Sequence, residues 1–106
     1  MKTLSMIAAG LLCAGLSTSA LSADVAAGGK TAQNCMMCHG ENGLSSMVGT
    51  PSLAGQQEIY LANQLRQFRD GKRHSEVMNV IAKPLTDAEI DNVAAYFAQF
   101  AIQLKH

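Results

Sequence analysis

No stretch of this sequence alternates apolar and polar residues with a period of two, no internal repeat appears and no segment is of low complexity. Strand-rich folds are thereby set aside, and the regular structure has to be helical. An excess of charge is missing too. From Asp24 onward there are seven Lys and Arg against eight Asp and Glu, so a general nucleic-acid or membrane-surface role has no electrostatic support. Cysteine is scarce: Cys35 and Cys38 form a single close pair and Cys13 stands apart. No second pair exists to complete a closed zinc site, for which His74 and His106 are isolated candidates.

Charge is also absent between Lys2 and Asp24. Lys2 supplies a positive start, Leu4 to Leu16 an apolar run, and Ser17 to Ala20 a small polar stretch, the layout of a secretory signal peptide over residues 1–23. Cleavage after Ala20 satisfies the small-x-small pattern through Thr18, whereas cleavage after Ala23 lets Asp24 open the acidic first turn of the next helix and is preferred. Retention as a membrane anchor is the rival reading, diluted by Gly10, Gly15 and the Ser/Thr cluster. Leu12 before Cys13 argues against a lipoprotein, so Cys13 leaves with the signal. Residues 24–106 then form one domain. At this size a hydrophobic core is thin, and a large apolar bound group would fill it.

Along that domain, Asp24 to Asn34 reads as a short helix weakened by Gly28 and Gly29. Gly40 to Gly55 is a loop that cannot make its own core. Gln56 to Asp70 returns to helical spacing through Leu61, Leu65 and Phe68, with Gly71 as the stop. Lys72 to Leu85 reads as irregular around Val77, Met78, Val80 and Ile81. Thr86 and Glu89 form a capping box that opens a last helix, whose apolar face runs through Ile90, Val93, Ala94, Phe97 and Ala101. The class is all-α with long loops.

The motif Cys35-Met36-Met37-Cys38-His39 has three readings: c-type haem attachment, a dithiol redox pair, or half of a zinc site. In the first, the two thiols become thioethers to one side of the porphyrin and His39 is the proximal iron ligand. A dithiol pair expects a strand-helix unit, which the sequence lacks. A haem iron has a sixth position, where thioether sulfur favours the ferrous state. Met36 and Met37 are tied to the proximal side and Met47 lies close after His39, so Met78 is the best-placed distal ligand; ordinary core filler is its bland alternative. His74, beside Lys72, Arg73 and Glu76, reads as a surface residue.

Together with "CMMCHG" at 35–40, the stretches "GTPSLAGQ" at 49–56, "YLANQLRQFRDGKR" at 60–73, "VMNVIAKPLTDAEI" at 77–90 and "VAAYFAQF" at 93–100 make the chain resemble the class I c-type cytochromes. The resemblance is to the small bacterial periplasmic monohaem group that is similar to one half of the tandem dihaem cytochromes, and it spans nearly all of Asp24 to Phe100. It implies three main helices and two long loops around one covalent haem c, with the first and last helices crossing near Gly28 or Gly29 and the aromatic pair Tyr96 and Phe97. It implies further that the Pro51 carbonyl orients the His39 ring, against a plain turn-forming role for the proline. The sequence departs from the family in placing Glu76 and Val77, rather than proline or a short polar residue, just before Met78.

What the resemblance implies about function is a periplasmic one-electron carrier, not an enzyme, with His39/Met78 ligation. Its partners would be redox proteins: a cytochrome bc complex or a dehydrogenase as donor, a terminal oxidase or reductase as acceptor. Membrane contact would come only through them unless the signal is retained. The alternative is a haem c electron-transfer subunit of a dehydrogenase or oxidase complex. An open sixth site, or a dithiol oxidoreductase, are more distant readings. Arg66, Arg69, Lys72 and Arg73 either steer an acidic partner, neutralise the haem propionates, or form a solvated face balanced in part by Asp70.

Overall fold

The computed structural model describes residues 22–105 together with Thr3 and Gly10. The signal-peptide reading of residues 1–23 therefore lies almost wholly outside the described residues. Among those described there are four α-helices and no strand: α1 (Val25–His39), α2 (Glu58–Arg69), α3 (Glu76–Ala82) and α4 (Asp87–Ala98), with a short 3-10 turn at Glu41–Gly43. None of these helices is long and apolar enough to cross a membrane.

Each helix start has a local chemical cause. The Asp24 carboxylate accepts the Ala27 N–H at the head of α1, and the Ser75 hydroxyl accepts the Met78 N–H at the head of α3. Thr86 and Glu89 form the reciprocal capping box expected for α4, a device worth about 0.5–2 kcal/mol. Asp70 and Gly71 end α2, with Gly71 at φ 76°.

Three elements differ from the expectation. Helix α1 does not stop near Asn34 but runs on to His39, because no breaker intervenes before Gly40, which takes φ 84° and sends its N–H to the Met36 carbonyl. The stretch around Met78 is a capped helix, α3, not an irregular segment. Helix α4 ends at Ala98, short of Ala101, which is exposed. There the Phe97 carbonyl accepts the Gly55 N–H at 2.9 Å, and a Cβ on Gly55 would lie 3.0 Å from the Ile102 side chain, so the chain end turns back onto the loop.

Helix α4 is the hub: α1 and α2 both pack on it, and α3 packs on α2. Phe97 and Ile90 are the largest fully buried side chains, each contributing about 1.5–3 kcal/mol by area. Ala32, Leu61, Ala62, Val93 and Ala94 complete a core rich in alanine. The crossing of α1 over α4 is backbone-close. A Cβ on Gly28 would run into the Asn92 carbonyl and come within 3.1 Å of the Tyr96 Cβ, and one on Gly29 would meet the Tyr96 ring at 3.0 Å. The expected partner Tyr96 is there; Phe97 instead faces the loop, 2.7 Å from where a Cβ of Gly43 would stand.

Arginines of α2 tie the second seam. Arg69 reaches Asp87 at 2.7 Å and Asp70 at 3.0 Å, and Arg66 reaches Asp91 at 2.7 Å. Two of the four clustered cations are thus occupied by acids within the fold. A third, Arg73, donates to Gln64 and lies 4.6 Å over the Phe68 ring.

Two expected outcomes follow from this packing. Gly28→Ala destabilises the protein by about 1–3 kcal/mol or more in denaturant unfolding, whereas Lys30→Ala, two residues on and on the exposed side, stays within about 0.5 kcal/mol. The hydrogen bond from Arg69 holds the Asp87 carboxyl below its ordinary value of 3.8. The unfolded chain therefore binds this proton more readily, and the stabilisation is complete above that value and disappears as the pH falls below it. Asp87→Asn is accordingly less stable than the parent at neutral pH, and chemical denaturation as a function of pH shows the gap closing below about pH 4.

Candidate functional site

The extension of α1 to His39 decides how the motif is presented. Cys35, Cys38 and His39 stand at i, i+3 and i+4, so the two thiols and the imidazole share one helical face. Cys35 is half-buried and packs against the core, Cys38 is exposed, and His39 is 8% exposed. Cys35 and Cys38 are not joined in a disulfide, and burial pushes the Cys35 thiol above its ordinary value.

His39 Nδ1 lies 2.7 Å from the Pro51 carbonyl oxygen. A carbonyl can only accept, so Nδ1 carries a proton and donates, which leaves Nε2 as the ring nitrogen able to offer a lone pair. The loop that delivers Pro51 is held in register by its own backbone. The Gly43 carbonyl accepts from Leu53 at 2.7 Å and from Ala54 at 3.1 Å, and Ser45 donates its N–H to the Ser52 hydroxyl at 2.9 Å. At Gly40 a Cβ would collide with the Leu44 carbonyl, so only glycine permits the turn that doubles the loop back. Tyr96 of α4 donates its hydroxyl to Asn42 at 3.0 Å, fastening the same turn to the hub.

Met78 is half-buried on α3, on the face it shares with buried Ala82. In packing order the helices run α1, α4, α2, α3, so His39 and Met78 stand on the two outermost members of the series. His74 is exposed, as expected, and Met47 is 49% exposed in a tight turn with Ser45. Among the described residues no three or more His, Cys, Asp or Glu side chains are placed to hold a metal ion by themselves. Reading the sequence missed Asn79 altogether: its side chain makes three hydrogen bonds, to Ser75, Phe68 and Arg73. The one signal was an amide four residues after a potential serine cap, inside a stretch that looked irregular.

The model of the family described as Cytochrome c matches residues 25–101. The chain is 43% identical over 89 residues to cytochrome c4 of Pseudomonas aeruginosa, which covers 83% of this chain and 44% of that protein. It is 45% identical over 69 residues to the thiosulfate dehydrogenase electron acceptor of Thiomonas intermedia, covering 64% of this chain and 32% of that protein. Among solved structures, cytochrome c4 of Acidithiobacillus ferrooxidans superposes with a TM-score of 0.64 at 32% identity, over 74% of this chain and 52% of that one. The chain spans about a third to a half of the length of these relatives.

The prosthetic group of this family is covalently bound haem c, and the residues of this chain suit it. The donor set is two thiols and an imidazole with a free Nε2 on one face, and a thioether on another helix. Large apolar side chains stand in solvent on the two segments that follow His39 and flank Met78: Val48 is 100% exposed, Val77 61% and Val80 70%. These could cover a broad apolar ring that the alanine-rich core does not replace. With its four helices, its matched residues and this donor set, the chain belongs to the cytochrome c family and has the all-α class I fold.

Proposed function

We propose that the domain is a one-electron carrier of the periplasm, with one haem c joined to Cys35 and Cys38 and ligated by His39 and Met78. The observation that carries the assignment of His39 is its geometry: a buried ring on the face of the two thiols, its Nδ1–H committed to the Pro51 carbonyl at 2.7 Å. When bound, the haem supplies a one-electron ferric/ferrous couple.

The remaining chemistry belongs to the chain. Thioethers at Cys35 and Cys38 would prevent loss of the group in a dilute compartment. The Pro51 carbonyl fixes the tautomer of His39 and raises its basicity as a ligand. Met78 offers a soft sulfur, which favours the reduced state and raises the potential. Were His39 and Met78 both to hold the iron, no substrate would need to reach it, and one-electron exchange with redox proteins would be the fitting reaction. Export through residues 1–23 supplies the oxidising compartment in which c-type cytochromes are assembled.

A second reading is favoured by the relative whose name is thiosulfate dehydrogenase electron acceptor: this domain serves a dehydrogenase or an oxidase directly, as acceptor or haem subunit. The free carrier would instead exchange electrons between a donor such as a cytochrome bc complex or a dehydrogenase and an acceptor such as a terminal oxidase or reductase. Purification of the native protein separates the two, because a catalytic chain co-eluting in stoichiometric amount overturns the free carrier.

Denaturing mass spectrometry of the wild-type protein is expected to show the mass of one haem added, and Cys35→Ser/Cys38→Ser to show none. In Met78→Ala the near-infrared sulfur-iron band is expected to vanish and the potential to fall. Persistence of that band in the variant would remove Met78 from the ligand set.

A further inference from the structure

Helix α3 has little of its own to hold it in place. At seven residues it is about two turns long, well under the ~12–15 residues at which an isolated helix becomes even marginally stable. Of its side chains only Ala82 is buried, while Val77, Val80 and Ile81 are exposed. Within the protein, apolar burial therefore does little to specify where α3 sits on α2, and the position of Met78 depends on it.

Polar ties supply what packing does not. The Asn79 side chain donates to the Phe68 carbonyl at 2.8 Å and to the Arg73 carbonyl at 2.9 Å, and it accepts the Ser75 N–H at 2.8 Å. Phe68 lies in the last turn of α2, where carbonyls have no partner within the helix; its other bond, from the Gly71 N–H, is 3.4 Å long. Arg73 closes the turn after α2, and Ser75 is the cap of α3. One amide thus joins the end of α2, the connecting turn and the start of α3. The Ser75 hydroxyl in turn accepts the Met78 N–H at 3.2 Å, and the Ser75 carbonyl accepts the Asn79 N–H at 2.9 Å. The backbone of Met78 is enclosed between the two residues.

We infer that Asn79 is the positioning residue for Met78, a side-chain crosslink from α2 that sets the register and rotation of α3 and so holds the methionine sulfur where a sixth ligand must be. The inference rests on the reading of Met78 as that ligand. Without the crosslink, α3 frays from its first turn, which is the turn that carries Met78, while α1, α2 and α4 keep their own packing.

The test uses the holoprotein and displacement of the methionine by added imidazole, followed through the near-infrared sulfur-iron band, beside far-UV circular dichroism in denaturant. Asn79→Ala removes all three bonds; Asn79→Asp keeps the acceptor for the Ser75 N–H and removes both donors to α2 and the turn. Both are expected to lose the band at an imidazole concentration about tenfold or more below that of the parent, the factor expected from losing two hydrogen bonds, with the unfolding midpoint of the whole domain little changed. Lys83→Ala, exposed at the far end of α3, is expected to titrate like the parent. Variants that hold the band as firmly as the parent, or that lose it only in step with global unfolding, would overturn the inference. Should Asn79→Ala fail to fold, Asn79→Asp carries the same comparison. A parent protein with no sulfur-iron band at all would instead overturn the ligand assignment itself.

Discussion

The close crossing of α1 on α4 at Gly28 is the constraint on which the remaining geometry rests. With no side chain there, the α1 backbone comes against the Asn92 carbonyl, and Gly29 lies on the Tyr96 ring. A carbonyl at the end of the contact cannot give way as a flexible side chain would, so the approach distance is decided by glycine alone. That approach sets the height and direction of the C-terminal turn of α1, where Cys35, Cys38 and His39 stand. It also places Tyr96 and Phe97 one turn further along α4, where they meet the 3-10 turn that begins the loop.

From α4 the order spreads by different physical means on each side. Toward α1 and the loop it is steric and hydrogen-bonded: ring against glycine, hydroxyl to Asn42, carbonyl of Phe97 to Gly55. Toward α2 it is electrostatic as well as apolar, with Arg66 and Arg69 held against Asp87 and Asp91. These charges are partly exposed, so each pair adds modestly to stability, but together they fix which face of α2 meets α4. The same pairing removes two cations from any general basic surface, which agrees with the near neutrality of the whole chain.

Much of the fold was legible because its signals are local. The Thr86–Glu89 box, the Gly71 stop, the stripe through Leu61 and Leu65 and the apolar face of α4 all follow from spacing along one helix, and each is found. The differences fell at two element ends and at one short helix. Helix α1 outran its expected end because helix propensity in the motif is adequate and only Gly40 forbids continuation. Helix α3 was missed because a seven-residue segment has too short a period to stand out, and its Asn79 side chain bonds to residues outside it. Ala101 was placed on a face that α4 no longer has there, since the Phe97 carbonyl is engaged by the loop.

What the sequence by itself determined is the chemistry available: two thiols, a histidine and a small set of methionines, with the family resemblance that orders them. Composition and motif spacing are properties of the chain and need no partner to be read. What only the tertiary structure decided is direction and distance: that the trio shares one face, that the Pro51 carbonyl, a partner the resemblance implied but spacing did not, lies 2.7 Å from Nδ1 of His39, and that the helix bearing Met78 is fastened by an amide bridging to α2. Such facts depend on where two distant backbones meet, and a backbone carbonyl looks the same at every position in a sequence.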